Sequence, residues 1–399
     1  MIDSLPLLHL LDLGHNLIEE IPYGAMRGYP RLEKLLLAGN QISKLSEDAF
    51  ADLPSLTQLE LSSNKLTSQS IDGAVFNLPN LKSLDIASNK LSKINKRLLQ
   101  SLKSLKRLNV AENMITLIEP GSLQMTKQLD YLNISHNNLR EAGPAMFEGL
   151  GKLFELDLSH NELVTLTDHT FADQKDLEFV NLSFNQIQLV SSHLFAKTNR
   201  YELVSQSLLG IISLRTSFNR NTLHLCPIKT PWSEIYLLFF YFSADVSPVF
   251  RMRYLDFSSN FITTFPGAMM RRLNFLTRLI FRKNSIQQLQ RDAFEGLSNL
   301  ELIDFHDNRI QDIDNRAFKD LRSLKSLDLS LNVISTVGSS LEPVTNLMKL
   351  NLSDNYITTL PFTAFRSLTR LSTLDISNNT IVDIGEAFVD MPEIKVSPN

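Results

Sequence analysis

The stretch Lys152–Phe171, KLFELDLSHNELVTLTDHTF, decides the architecture because the chain keeps returning to it. Leu153, Leu156, Leu158 and Leu163 surround Asn161, and Phe171 closes the unit. The same frame sets asparagines at Asn16, Asn40, Asn64, Asn89, Asn113, Asn137, Asn161 and Asn185, then at Asn260, Asn284, Asn308, Asn332, Asn355 and Asn379. Every interval is 23 to 25 residues except the one from Asn185 to Asn260, which is 75. A fixed period in the twenties marks a stacked-repeat architecture. In each L-x-L the leucines alternate with an outward residue, so a short strand turns its leucines inward. Consecutive strands of this kind stack in parallel. One repeat cannot bury its leucines alone, whereas many stacked repeats share one elongated core.

The asparagine falls where the chain turns out of the strand. Its amide carries donors and an acceptor, so it can satisfy backbone groups that the turn would leave unpaired inside. An apolar residue follows two positions on (Ile42, Leu66, Leu91, Ile187), another near five (Leu45, Ile94, Leu166) and an aromatic at ten (Phe50, Phe147, Phe171, Phe195). This outer half is short and irregular, which predicts tight turns and little regular helix. Single-residue departures, such as the 25-residue interval containing Ser68, Gln69 and Ser70, belong there.

Composition adds bounds. Of 399 residues, 43% are hydrophobic and 21% charged, ordinary for a soluble protein. A net charge of −4 favours neither nucleic acid nor an anionic membrane. The single cysteine, Cys226, lies in the interruption. Met1-Ile2-Asp3 offers no basic leader, and Leu5, Leu8, Leu11 and Leu13 are already in register. At the other end Phe388, Met391 and Ile394 continue the last repeat without a polar cap. The expectation is an internal piece of a longer protein, or an incomplete gene prediction.

The organisation read from this is repeats one to eight over residues 1–200, a non-repeat insertion over 201–251, and repeats nine to fourteen over 252–399. Removing the insertion joins Arg200 to Met252 with Met252, Leu255, Phe257 and Asn260 in register. The insertion contains Trp232, Cys226 and the run Ile235–Phe242. That run is far short of the roughly 20 apolar residues a membrane helix needs. Two readings stay open: a loop projecting from the array to bind a partner, or an intron translated in frame. Either predicts low order.

Function has to come from surface positions. The central x of L-x-L is acidic in eight of fourteen repeats, Asp157 and Asp256 among them. This acidic stripe could attract a basic partner; the competing reading is that Asp and Asn here hydrogen-bond along neighbouring strands. Tyr131, Phe154, Phe179 and Tyr254 occupy outward positions just before the x in repeats six to nine, and Phe184 lies just past the strand. Clustered exposed aromatics are what binding hot spots look like, although they could also cover one another. A basic group, Arg271, Arg272, Arg278, Arg282 and Lys283, follows. N-x-S/T sequons occur at Asn133, Asn181, Asn351 and Asn378, the first three arising from the repeat motif itself. His136 and His160 are read as surface residues of S-H-N turns. No metal spacing, phosphate loop, nucleophile arrangement or cofactor motif is present, so an enzyme is not expected.

The 24-residue frame, with LDLSHNEL at Leu156–Leu163, Thr170-Phe171, and DAF-x-x-L at Asp48–Leu53 and Asp292–Leu297, resembles the typical class of leucine-rich repeats. Within that class it looks most like chaoptin-type adhesion proteins and Toll-type receptor ectodomains. The resemblance implies a leucine-rich repeat solenoid, or horseshoe, of about 14 repeats. A parallel β-sheet would line its concave face, with irregular and short helical turns on the convex face. It further implies a non-catalytic module outside the cell or on its surface that binds protein ligands, with membrane attachment only through segments outside this chain. Self-association fits the same fold. The alternatives are an intracellular scaffold and a secreted matrix component.

Overall fold

A computed structural model describes residues 5–50, 52–73, 77–196, 250–362, 364–385 and 387–388. Fourteen three-residue strands, from Leu10–Asp12 to Thr373–Asp375, form one sheet in strict chain order. Each pairs in parallel with its neighbour, and each pairing is in repeat register: Tyr131 lies opposite Glu155, and Glu155 opposite Phe179. The strand Phe179–Asn181 pairs directly with Tyr254–Asp256. The expected solenoid with a parallel concave sheet is what forms.

The inward leucines behave as the pattern requires. Leu153, Leu156, Leu158 and Leu163 are all buried, as are their counterparts in the inner repeats, while those of the first and last repeats, such as Leu11 and Leu374, are partly buried against the same continuous core. The aromatics ten residues past the asparagines form a stack inside it. Phe147, Phe171 and Phe195 sit with ring centroids 5.5 Å apart. Phe250 continues that stack, fully buried and 5.5 Å from Phe195. Apart from Phe250 and Arg251, the stretch read as an insertion lies outside the described residues.

The asparagine ladder closes the strand ends. Asn161 donates from Nδ2 to the carbonyls of Ile134 (3.0 Å), Leu158 (3.1 Å) and Ser159 (3.2 Å). Its Oδ1 accepts the amide of Leu139, one repeat back, at 3.0 Å. The pattern crosses the long interval too, since Ile187 N donates to Asn260 Oδ1 at 2.9 Å. From Asn40 onward each asparagine therefore ties its own turn to the preceding repeat.

The convex side carries what the strict strand period leaves over. Short helices occur at Ser68–Gly73, Lys96–Leu99 and Gly267–Met270, with a 3-10 turn at Pro144–Met146. Ser68–Gly73 absorbs the extra residue of the 25-residue repeat, where the sequence places it. Two-residue parallel bridges, such as Glu141–Ala142 beside Thr165–Leu166, add small outer sheets that the sequence pattern did not indicate. Their signal is too short for a period-2 pattern. Among the described residues no helix is long and apolar enough to cross a membrane.

Candidate functional site

The concave sheet presents its outward residues in rows, because in-register pairing stacks equivalent positions. Tyr131, Phe179 and Tyr254 share one row, with Glu155 between the first two. Phe154 stands one position earlier on its own repeat and leans on Phe179, ring centroids 5.3 Å apart. Phe179 in turn lies 6.4 Å from Tyr254. Phe154 and Phe179 remain 40% and 37% exposed, so the rings touch without covering each other. Arg107 closes the row at the other end with its guanidinium 3.9 Å above the Tyr131 ring, a cation–π contact.

The two tyrosines are held rather than free to swing. Tyr254 donates its hydroxyl to Asp256 Oδ2 at 3.0 Å. Burial and the Asp256 carboxylate both push the Tyr254 phenol well above its ordinary pKa. Tyr131 is also raised, mainly by burial, while the Asn133 side chain bonded to it acts the other way. Both therefore present neutral hydroxyls at physiological pH.

The acidic stripe has a structural role. In eleven of the fourteen strands the x residue accepts, through its side-chain oxygen, the backbone N–H two residues on. That contact is an Asx turn, which bends the chain out of the strand. Asp157 Oδ1 takes the Ser159 amide at 2.8 Å, and its Oδ2 accepts from Asn181 at 3.3 Å. Asp256 divides its oxygens between Ser258 N and the Tyr254 hydroxyl. Lateral bonds of the expected kind occur at Asn109–Asp85, Asn181–Asp157 and Asn351–Asp328, but the bond to the chain's own turn is the more general one.

The basic group divides. Arg278 sits opposite Tyr254 on the concave face, and Arg282 approaches Asp304 at 3.6 Å. Arg271 instead pairs with Glu295 at 2.8 Å, in the convex half of its repeat. The sequons are engaged as well: Asn181, Asn351 and Asn378 donate their amide nitrogens to Asp157, Asp328 and Asp354.

A second aromatic feature lies along the rim, and reading the repeats one at a time missed it. The residue before each ladder asparagine has positive φ in every repeat. Three successive rings occupy this column. His136 stacks on His160 at 4.0 Å and 9°, and His160 on Phe184 at 4.2 Å and 10°. The signal was available in the 24-residue alignment, which puts all three in one column.

This stack sets a pH response. The His160 imidazole is held below its ordinary pKa, first by burial and then by His136, with Asp157 pulling the other way. The folded chain thus binds this proton less readily than the unfolded chain. Its contribution to stability is complete above the unfolded value of about 6.5 and is lost as pH falls through the folded pKa. In a histidine NMR titration, His160 is expected to titrate below free histidine, and His136→Ala to move its midpoint upward. A midpoint unmoved by that substitution would remove the like-charge contribution.

The leucine-rich repeat family model matches residues 4–66, 79–139, 127–187, 274–334 and 345–396, more than half of the chain. The chain belongs to the leucine-rich repeat family. Solved structures agree on the fold. An internalin of Listeria monocytogenes is 21% identical with a TM-score of 0.59, covering 98% of this chain and 88% of its own. A leucine-rich repeat protein of Leptospira interrogans is 24% identical with a TM-score of 0.61, covering 94% and 85%. A chain of the Drosophila Toll–Spatzle complex is 22% identical with a TM-score of 0.62, covering 90% of this chain and 49% of its own. At these identities the likeness is one of fold.

Proposed function

We propose that this leucine-rich repeat chain is a non-catalytic protein-binding module, part of an extracellular adhesion or receptor ectodomain, that recognises its ligand on the concave face of repeats six to nine. The observation that carries the reading is the half-exposed row of Tyr131, Phe154, Phe179 and Tyr254. Its rings are fixed by one another, by Arg107 and by Asp256. Rigid aromatics that lose little freedom on binding are what interface hot spots are made of. Asp157 and Asp256 act here by positioning, whereas Arg278 and Arg282 supply charge beside the row. That two of the similar structures are an internalin and a chain of the Toll–Spatzle complex supports the protein-binding reading.

The test is binding of the purified chain to an array of extracellular domains, followed by affinity measurement on any interactor. Replacing Phe154 and Phe179 together with alanine is expected to weaken binding about a hundredfold, the loss of two hot-spot residues. An interactor that binds the double variant as tightly as wild type would sink the concave-face reading. Glycan occupancy tests the compartment. A glycan on Asn133 or Asn181 would stand on the same strand as Tyr131 or Phe179, two residues away and on the same face. Modified sequon asparagines in a peptide map of the native protein support the extracellular reading. Uniformly unmodified ones favour an intracellular scaffold.

A further inference from the structure

We infer that the rim holds an open stacking slot over Ser259, and that the slot takes an aromatic side chain flanked by carboxylates on a partner polypeptide. The inference rests on the protein-binding reading above and adds the chemistry of what is bound. The column His136, His160, Phe184 is a stack of near-parallel rings about 4 Å apart. Register fixes its next two members, since Phe184 N bonds Ser258 O and Ser259 N bonds Arg282 O. They are Ser259 and Lys283, both with the same left-handed backbone, φ 52° and 55°.

At Ser259 the ring is missing. Phe184 is 50% exposed. From Phe184 to Lys283 is two rungs, or about 9–10 Å at the spacing of paired strands. A planar group stacked about 4 Å from Phe184 fits that interval above the small serine. Phe261, 57% exposed, stands two residues beyond Ser259.

Charge selects among planar groups. A guanidinium would meet Lys283 and Arg282, both exposed, the latter sharing its charge with Asp304 at 3.6 Å. An aromatic ring carries no such penalty, and carboxylates beside it in the partner chain would face those two cations. Offset ring stacking and charge complementarity then act together.

Short random peptides displayed on phage, selected against the purified whole chain, test this. Enriched peptides are expected to carry Phe, Tyr or Trp between Asp or Glu, and to lose affinity as salt rises. Their affinity is expected to fall about tenfold or more on Ser259→Phe, which fills the slot, and on Phe184→Ala, which removes its floor. Ser259→Phe is compatible with folding because Phe184 already occupies the equivalent backbone at φ 54°, and an unchanged circular dichroism spectrum would verify it. Selection of nothing, selection of peptides without that pattern, or undiminished binding to Ser259→Phe overturns the proposal. If only the Phe154/Phe179 double variant loses binding, the slot fails while concave recognition stands. If no variant matters, both fail.

Discussion

Asn161→Ala is expected to destabilise the solenoid by about 3–4 kcal/mol, far more than its size suggests. The side chain is buried and bonds three carbonyls and one amide. The losses are unequal. Ile134 O also accepts from Asn137 at 3.1 Å, and Leu158 O from Asn185 at 3.0 Å, so these carbonyls keep a donor. The Leu139 amide is different: Asn161 Oδ1 is its acceptor and the site is buried. An orphaned buried N–H costs about 1–3 kcal/mol, and each other lost bond about 1 kcal/mol. Asp157→Ala should cost less, about 1–2 kcal/mol, because it breaks one backbone bond, from the buried Ser159 amide, and one longer side-chain contact, from Asn181 at 3.3 Å. Repeats interact chiefly with their neighbours, so the damage should be local. Amide exchange should accelerate at Leu139 and in adjoining repeats before it does near Leu327. Urea unfolding of both variants checks the order; Asn161→Ala no worse than Asp157→Ala would show that the ladder does not hold the repeats together.

The ladder was legible because one residue type at one spacing has one chemical job. The strands were legible for the same reason, since inward leucines at period 2 leave no second way to bury them. The outer half was not. Its two-residue bridges, such as Lys93–Ile94 with Leu117–Ile118, are made by backbone alone and accept many side chains. The acidic stripe shows a different limit. Its composition was plain, but whether Asp157 faces a partner or its own turn depends on an oxygen–amide distance that no pattern encodes. The aromatic row was legible as a set of positions, and the contact of Phe154 with Phe179 follows from adjacency of repeats. The rim stack was missed because reading repeat by repeat puts His136 and His160 among surface turn residues and Phe184 with the concave aromatics, although all three precede a ladder asparagine. Only their shared backbone geometry makes them one feature.

Phe281→Ala is expected to cost about 3–5 kcal/mol, the usual range for emptying a buried aromatic site. Phe281 replaces the second leucine of its L-x-L, as do Phe257 and Phe305 on either side, and all three are fully buried. Their rings stack at 5.1 and 5.8 Å. Phe265 enters from the convex side and meets Phe281 edge-on at 5.4 Å and Phe305 at 5.6 Å. The cluster is thus a local enlargement of the core, built by these four residues with Phe294, which lies 4.8 Å from Phe265 and 6.1 Å from Phe305. Leucine is the standard occupant of this column, at Leu158, Leu182 and Leu329. If Phe281 were mere filling, Phe281→Leu would be almost neutral. The edge-on packing of Phe265 argues otherwise, because a leucine leaves that ring facing a void. Phe281→Leu is therefore expected to cost about 1–2 kcal/mol, with most of it recovered when Phe265→Leu is added, since neighbouring core residues couple. Denaturant titration of the two single variants and the double variant measures the coupling, and strict additivity would mean that the rings are not packed as a unit. Phe179→Ala, on the exposed concave row, should leave the same titration within about 0.5 kcal/mol of wild type. That contrast makes Phe179 a clean probe of the proposed binding, and Phe281 a probe of what keeps the concave face in register.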